Sequence, residues 1–294
     1  MQRATRVPIS GVHSPVYHVN DTSSTLDLAA ALLADTTTAT PHLTTIIADH
    51  QSAGRGRLGR TWTTPDGQAL LASTIVSLPT SFPTEMLGWL VHACALSVRD
   101  ALSPRLSPLG HTVSLKWPND VLVDGTRKIC GILAQLAPAS SPFTTSAILG
   151  YGINIAQDSD HLATPQATSL YVEGDTEAGT DPISVSHTLL AQILTGLDSR
   201  IRGLVTHGNA RDCGLADEAA NALPLLGTRI ALAKPTDPNG HPAMEGVALG
   251  LSPTGSLLVA TDDGRTHDIS AGDVLATGIP LTTVHDTKEK RANN

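Results

Sequence analysis

The chain has 294 residues, 40% of them hydrophobic, and its 19 lysines and arginines against 27 aspartates and glutamates give a formal net charge of −8. Such a chain can bury the core of one large domain or two unequal ones, and it has no apolar run near the roughly 18 residues that a membrane-spanning helix needs. The acidic balance argues against general affinity for nucleic acid or anionic membranes, and 3% aromatic residues are too few for a base-stacking platform.

The first two thirds of the chain contain alternating predicted strands and helices. Residues 1–20 show no clear periodicity and are expected to form a flexible arm. In chain order, apolar and β-branched runs predict strands, and three- and four-residue apolar spacing predicts helices. The predicted elements are a helix from Ser24, strands over 44–48 and 69–78, a helix over 86–102, strands over 113–117, 129–136 and 148–155, and a helix over 185–204. Ser24 and Asp27 resemble a capping box, and Asp124-Gly125 predicts a hairpin turn.

The pattern changes after about Leu223 to short apolar runs separated by turn residues. Strands predicted over 229–233, 244–251, 257–261 and 274–277 indicate a small antiparallel barrel, and the polar tail over 281–294 is expected to be disordered. The fold class is therefore α+β, with an arm over 1–20, a larger domain over 21–222 and a barrel domain over 223–280. Three cysteines far apart indicate neither a disulfide framework nor a zinc site, and fit a reducing cytoplasm.

The densest candidate for chemistry is the loop Gln51-Ser-Ala-Gly-Arg-Gly-Arg-Leu-Gly-Arg-Thr-Trp62. Its glycines match the Gly-x-Gly-x-x-Gly pattern, but turn residues follow where a dinucleotide-binding fold needs a helix. The loop's three guanidinium groups suit phosphate or carboxylate, and glycines permit close approach of the backbone. These arginines are Arg55, Arg57 and Arg60. A solvated loop without function, or one that touches RNA weakly, is the alternative.

Three further clusters follow, and each has a purely structural interpretation when it is taken alone. The first cluster lies at the end of a predicted strand and has the sequence Lys116-Trp-Pro-Asn-Asp120. Its lysine and aspartate could form no more than a surface ion pair. The next cluster has a lysine where an apolar strand begins, and a lysine in such a position usually extends its ammonium group to solvent; its sequence is Arg127-Lys-Ile-Cys-Gly-Ile-Leu133. Gly150-Tyr-Gly-Ile-Asn154 sets two glycines in a strand, which indicates close approach of a ligand or another backbone.

Taken together, the four clusters resemble the biotin–protein ligases. That family's pattern is Gly-Arg-Gly-Arg-x-Gly-Arg, Lys-Trp-Pro-Asn-Asp, Lys-x-x-Gly-Ile-Leu and a Gly-x-Gly-x-Asn strand, and every element occurs here in this order. Ser24-Thr25 resembles the start of the family's Ser-Thr-Asn element; Leu26 stands where the family often has Asn, which leaves a backbone contact there. The resemblance covers about residues 20 to 280. It implies a catalytic domain of the class II synthetase or biotin-ligase type, a mixed β-sheet with flanking helices, followed by an SH3-like barrel.

The resemblance implies a two-step, ATP-dependent and AMP-forming reaction. Biotin and ATP, with Mg²⁺, give biotinyl-5′-adenylate and pyrophosphate, and a lysine of a biotin carboxyl carrier domain of a biotin-dependent carboxylase then displaces AMP. About 20 residues precede Ser24, too few for three helices, so the ligase-only form without a DNA-binding domain is expected. No DNA or membrane partner is expected, and the protein is expected to be a cytoplasmic monomer or weak homodimer. A lipoate-type ligase and a nucleic-acid-binding module are the alternatives.

The resemblance also assigns site residues by motif position. It gives catalytic roles to Arg57, Lys116, Asp120 and Lys128. It assigns biotin to Ser24, Thr25, Leu26, Gln51, Gly54, Gly56, Arg57, Leu58 and Lys128. It assigns ATP to Arg55, Arg60, Trp62, Lys116, Asn119, Asp120 and Asn154. No residue is assigned to the metal, which ATP phosphates would mainly carry. Asp120 could serve Mg²⁺ or the incoming lysine, or could merely pair with Lys116.

Overall fold

A computed structural model describes residues 4–35, 37–141, 144–233 and 242–279. The larger sheet has eight strands: β1 Thr5–Arg6, β2 Val16–Thr22, β3 Thr45–Gln51, β4 Ala69–Pro79, β5 Val113–Lys116, β6 Asp120–Val123, β7 Arg127–Ser141 and β8 Thr144–Asn154. Their order is β1-β2-β3-β4-β8-β7-β6-β5. The β2–β3 pair is parallel and the other pairs are antiparallel, so the sheet is mixed, as predicted.

Five helices accompany this sheet: α1 Thr25–Ala34, α2 Gly88–Leu106, α3 Thr176–Thr180, α4 Pro182–His207 and α5 Leu215–Ala222. Consecutive strand residues face opposite sides of a sheet, so Ile46 and Ile47 lie in different cores. Ile46 packs in the smaller core with α1, whereas Ile47 packs in the main core with α2 and α4. None of the helices in the described ranges combines the length and apolar character that crossing a bilayer requires.

The C-terminal unit is a second, antiparallel sheet that packs against α2. Its strands are β9 Arg229–Ala233, β10 Pro242–Leu251, β11 Leu257–Ala260, β12 Thr266–Ile269 and β13 Asp273–Ile279, in the order β12-β11-β10-β9-β13. Nε1 of Trp89 donates to the Pro253 carbonyl at 2.8 Å, and His92 Nε2 lies 2.8 Å from the Gly255 carbonyl oxygen. A Cβ on Gly88 would lie 2.6 Å from the Thr254 carbonyl oxygen, so this contact requires glycine.

Three expectations about the chain need correction. The flexible arm over 1–20 is wrong for β1 and most of β2, because β2 pairs with β3 and buries Val16 and Val19. Ser24 precedes α1 without making a side-chain cap, and Asp27 instead binds Arg55 at 2.7 Å. Strands β6 and β12 were not predicted, and the Asp124-Gly125 turn joins β6 to β7 rather than the strand over 113–117 to the strand over 129–136. The tail over 281–294 lies outside the described residues, and the division near residue 222 stays a prediction.

Candidate active site

A cavity of about 540 Å³ opens where α1, the arginine-rich loop and strands β7 and β8 meet the C-terminal unit. Most of the predicted site residues line it: Ser24, Thr25, Leu26, Gln51, Arg55, Gly56, Arg57, Arg60, Trp62, Lys116, Asn119, Asp120, Lys128 and Asn154. They come from segments far apart in the chain. The fold therefore brings all four sequence clusters to a single cavity.

Two of the predicted site residues do not line this cavity. An added Cβ on Gly54 would stand 2.3 Å from the Trp62 carbonyl oxygen, so glycine there allows the loop to fold back on itself. Leu58 adopts a left-handed backbone with φ 58°, and the residue is 46% exposed. The structure thus gives Gly54 a role in loop geometry and places the Leu58 side chain away from the cavity.

One end of the cavity is polar but uncharged. The backbone N–H and the hydroxyl of Thr25 both donate to Oε1 of Gln51, at 2.8 and 3.0 Å, and the Ser73 hydroxyl donates to Oγ1 of Thr25 at 2.8 Å. Oγ of Ser24 is buried with no hydrogen-bond partner in the described part of the chain. Because an unpaired buried hydroxyl is costly, Ser24 marks a position where a polar ligand atom would be stabilised.

Glycines of β7 and β8 make the floor of the cavity flat. A Cβ on Gly152 would lie 2.5–2.7 Å from the Trp62 indole, and a Cβ on Gly150 would lie 2.9–3.1 Å from the Leu26 side chain. Nε1 of Trp62 is buried without a hydrogen-bond partner among the described residues. Strand glycines thus let an aromatic ring and an aliphatic side chain lie directly on the sheet backbone.

The opposite end of the cavity is cationic. Nζ of Lys128 lies 2.6 Å from Oδ1 of Asp120 and 5.7 Å from the centroid of the Trp62 ring. Lys116 and Asp120 are paired in register across β5 and β6, yet the Asp120 carboxylate contacts Lys128. The interpretation that Asp120 merely pairs with Lys116 is therefore wrong. Lys128 and Asp120 form one unit at the junction of the polar and cationic ends.

Arg57 joins the larger sheet to the C-terminal unit. Its Nη1 donates to Oδ1 of Asn119 at 3.2 Å and to the Gly272 carbonyl at 3.4 Å, and lies 3.6 Å from Oδ1 of Asp273. Arg60 also pairs with Asp273. Burial lowers the pKa of Arg57, and the charges of Asp273 and Asp120 oppose this effect. A partly desolvated guanidinium of this kind interacts strongly with an anion in the cavity.

Asn154 is held rigidly at the end of β8. Its Nδ2 donates to the Thr168 carbonyl at 2.8 Å, and its Oδ1 accepts from Gln157 at 3.0 Å.

Two further parts of the cavity wall were not predicted from the sequence, namely the segment over 163–167 and Asp273. The Ala271-Gly272-Asp273 run signalled only a turn, and 163–167 has no periodicity that could have revealed its position.

Within the described ranges, two carboxylates line the cavity, and both are already paired with cations. Asp120 contacts Lys128, and Asp273 contacts Arg57 and Arg60. Mg²⁺ is normally held by one or two carboxylates together with substrate phosphates. This donor set therefore does not form a separate metal site, and it fits a metal that binds mainly to the phosphates of a nucleotide.

Comparison with known proteins agrees with this geometry. Residues 20–154 match the biotin/lipoate A/B protein ligase family, and residues 236–275 match the biotin protein ligase C terminal domain. A biotin--[acetyl-CoA-carboxylase] ligase of Mycobacterium tuberculosis is 35% identical over 78% of this chain and 77% of its own length. One from Paracoccus denitrificans is 31% identical over 79% of this chain and 90% of its own.

The fold of this chain is also similar to that of a protein of known structure. The biotin protein ligase from Aquifex aeolicus, solved in complex with biotin and ATP, has a TM-score of 0.64 at 24% identity and covers 90% of this chain and 98% of its own. The mixed sheet and the C-terminal unit are thus shared with a biotin protein ligase. The two bacterial relatives, 35% and 31% identical over most of both chains, establish that the chain belongs to the biotin protein ligase family.

Proposed function

We propose that this protein attaches biotin to a lysine of a biotin carboxyl carrier domain in two ATP-dependent steps. The observation that carries the proposal is one cavity with an uncharged polar end and a cationic end, joined at Lys128. Biotin has a neutral ring system and a carboxylate tail, which suit these two ends respectively. The two bacterial relatives named biotin--[acetyl-CoA-carboxylase] ligases support the same reaction.

In the first step, the biotin carboxylate attacks the α-phosphate of ATP. A carboxyl oxygen–phosphorus bond forms, the bond to the leaving oxygen breaks, and pyrophosphate departs. Both reactants are anionic, so their approach requires cationic groups, which Arg57, Lys116 and Lys128 supply. The hydroxyls of Ser24 and Thr25 and the amide of Gln51 would hold the biotin ring, which places its carboxylate toward Lys128.

In the second step, the acceptor lysine attacks the carbonyl carbon of biotinyl-5′-adenylate. The new carbon–nitrogen bond replaces the carbon–oxygen bond, and AMP leaves. A lysine has an ordinary pKa of about 10.4 and must lose a proton before it attacks. Asp120 is the carboxylate nearest to Lys128 and is the proposed acceptor of that proton.

Mg²⁺ would enter the site bound to ATP, where it neutralises phosphate charge. The site residues proposed to contact the nucleotide are Arg55, Arg60, Trp62, Asn119 and Asn154, all in the cavity wall.

The protein that accepts biotin is proposed to be a carrier domain of a biotin-dependent carboxylase. The enzyme itself is proposed to act as a monomer or weak homodimer.

The contacts of the arginine-rich loop argue against a nucleic-acid-binding function. Arg55 pairs with Asp27, Arg60 pairs with Asp273, and Arg57 is bound within the cavity. Carboxylates thus offset the positive charge of Arg55 and Arg60, which weakens the loop as a basic surface patch. A lipoate-type ligase would have similar chemistry, but both curated relatives cited above are named for biotin.

The test is incubation of the purified chain with ATP, Mg²⁺ and a carrier domain, with biotin in one series and lipoate in another. The expected result is biotin-dependent pyrophosphate–ATP exchange and a carrier mass increase corresponding to one biotinyl group. Modification by lipoate at a comparable rate, or absence of exchange with biotin, would contradict the proposal. RNA binding at physiological salt would favour the nucleic-acid alternative.

A further inference from the structure

We infer that Glu173 is a positioning residue for the nucleotide end of the cavity, an inference that rests on the proposed function. Glu173 does not line the cavity, and its side chain is 4% exposed. It lies in the turn after the 163–167 segment, where its backbone N–H donates to the Ser169 carbonyl at 3.1 Å. A buried carboxylate behind an active site must be satisfied by specific partners.

The Glu173 carboxylate accepts three hydrogen bonds from two residues. Arg127 donates from Nε to Oε1 at 2.6 Å and from Nη2 to Oε2 at 2.8 Å, and the Thr168 hydroxyl donates to Oε1 at 2.6 Å. Burial raises the pKa of Glu173, but the bonds from Arg127 and Thr168 outweigh burial and leave the pKa below its usual value. The carboxylate is therefore ionised at neutral pH.

Both partners of Glu173 are directly connected to site residues. Arg127 precedes Lys128 at the start of β7. The backbone N–H of Thr168 donates to the Lys128 carbonyl at 2.8 Å, and the Thr168 carbonyl accepts from Nδ2 of Asn154 at 2.8 Å. Glu173 thus fixes, through one carboxylate, the strand that carries Lys128 and the loop that orients Asn154.

The surrounding charges indicate that Glu173 binds the arginine rather than a metal ion. His111, Asp124 and Glu173 present atoms within 4.8 Å of one another. However, Nη2 of Arg127 donates to both Asp124, at 2.7 Å, and Glu173. A guanidinium thus already provides the positive charge that these two carboxylates require.

The connections of Glu173 reach only one end of the cavity. Asn154 belongs to the proposed nucleotide contacts, and Lys128 to the proposed contacts with the adenylate linkage and the biotin carboxylate. Thr25 and Gln51, which would hold the biotin ring, lie on α1 and β3 and bind each other. Loss of the Glu173 bonds should therefore weaken nucleotide binding much more than biotin binding. General destabilisation of the fold would not separate the two ligands in this way.

The experiment compares Glu173→Gln, Thr168→Val and Thr168→Ser in the full chain. Calorimetry gives the Kd for α,β-methylene-ATP at saturating biotin, and separately the Kd for biotin. Glu173→Gln and Thr168→Val are expected to weaken binding of the analogue about 10-fold, the effect of losing one bond to an ionised group. Both should change the Kd for biotin less than about 2-fold, and Thr168→Ser, which keeps the hydroxyl, should behave like the wild type.

Asp175→Asn is the matched control. Asp175 also has a buried side chain and accepts two bonds from one arginine, Arg105, but it makes no bond to Thr168. This variant should lower Tm without changing the Kd for the analogue. An equal loss of analogue affinity in Asp175→Asn would overturn the inference, as would unchanged affinity in a folded Glu173→Gln or Thr168→Val protein.

Thr168→Val nearly preserves side-chain volume. If Glu173→Gln does not fold, this variant alone tests whether the bond between Thr168 and Glu173 supports nucleotide binding. The proposed function has a separate readout in transfer of biotin to the carrier. A wild-type chain that binds biotin and the analogue but modifies no carrier would contradict the proposed function, while the affinities would still test Glu173. A wild-type chain that binds neither ligand would overturn both.

Discussion

The ammonium of Lys128 lies 2.6 Å from Oδ1 of Asp120, and this ion pair stands where the uncharged and cationic ends of the cavity meet. An anion that approaches Lys128 must compete with Asp120 for the same positive charge. An amine that approaches Asp120 must likewise compete with Lys128. The two residues are therefore expected to affect different steps of the reaction, and their variants can be distinguished.

Lys128→Ala should weaken binding of biotinyl-5′-adenylate about 10- to 100-fold, the effect of losing a charge-assisted contact. Binding of biotin alone should weaken less, because the adenylate places a phosphate beside the former carboxylate. Calorimetry with biotin and with a non-hydrolysable adenylate analogue measures both affinities. Lys128→Arg keeps the charge and serves as the control; equal losses for the two ligands in Lys128→Ala would contradict the expectation.

Asp120→Asn should slow biotin transfer even when presynthesised biotinyl-5′-adenylate is supplied. The rate should recover as pH rises, because a larger fraction of the acceptor lysine then loses its proton without help. Single-turnover transfer to the carrier between pH 7 and 9.5 measures this dependence. A variant that transfers normally from the supplied intermediate would confine Asp120 to the ATP-dependent step and exclude its proposed role as a base.

Asp273→Asn should release Arg57 and Arg60 from the C-terminal unit and let the intermediate escape. Arg57→Gly should have the same effect, because Arg57 contacts Asn119, the Gly272 carbonyl and the Asp273 carboxylate. The measurement is biotin labelling of bulk protein added to the reaction. Asp262→Asn is the control, since Asp262 forms a two-bond pair with Arg229 in the same C-terminal unit. Labelling confined to the carrier in both site variants would show that the intermediate is retained without these contacts.

Gly152→Ala should displace the Trp62 indole, because the new Cβ would lie within 2.7 Å of three ring atoms. If Trp62 contacts the nucleotide, ATP affinity should fall about 10-fold, and the tryptophan fluorescence change on ATP addition should diminish. Gly250→Ala is the control, because a Cβ there meets no atom within 4 Å in the described structure. Unchanged ATP affinity in Gly152→Ala would separate Trp62 from nucleotide binding.

The contact between α2 and the C-terminal unit should weaken in acid through His92. Burial lowers the pKa of His92, although its bond to the Gly255 carbonyl opposes this effect. The unfolded chain then binds more protons than the folded one as pH falls below about 6.5. The contribution of His92 is therefore complete above that pH and is lost as pH falls toward the lower folded-state pKa.

Tm measured from pH 7.5 to 5 tests this expectation. His92→Phe should lower Tm at pH 7.5, since the Gly255 carbonyl loses its donor, but should reduce the fall of Tm with acid. His42 and His187, whose pKa values burial also lowers, act in the same direction and leave a residual slope. His207→Gln is an exposed control; an unchanged slope in His92→Phe would assign the acid sensitivity to other groups.

The elements that the sequence predicted are those with strong local patterns. The alternating or apolar runs of β4 and β8 and the apolar stripe of α4 lie within a few residues of their predicted bounds. Strand β2 was missed because Val16 and Val19 are its only aliphatic residues, so its order depends on pairing with β1 and with β3. The identities of Lys128, Asp120 and Trp62 as cavity residues followed from motif order, because these motifs are specific.

The sequence by itself determined the fold class and the chemical types at the site, since hydrophobic periodicity and motif spacing are local properties of the chain. Only the tertiary structure decided which charges pair. Asp120 is adjacent to Lys116 in register but binds Lys128, and Asp273 reaches Arg57 and Arg60 from the C-terminal sheet. Ion pairing depends on distances of a few ångströms between side chains, and these distances are set by how strands and domains pack rather than by separation along the sequence.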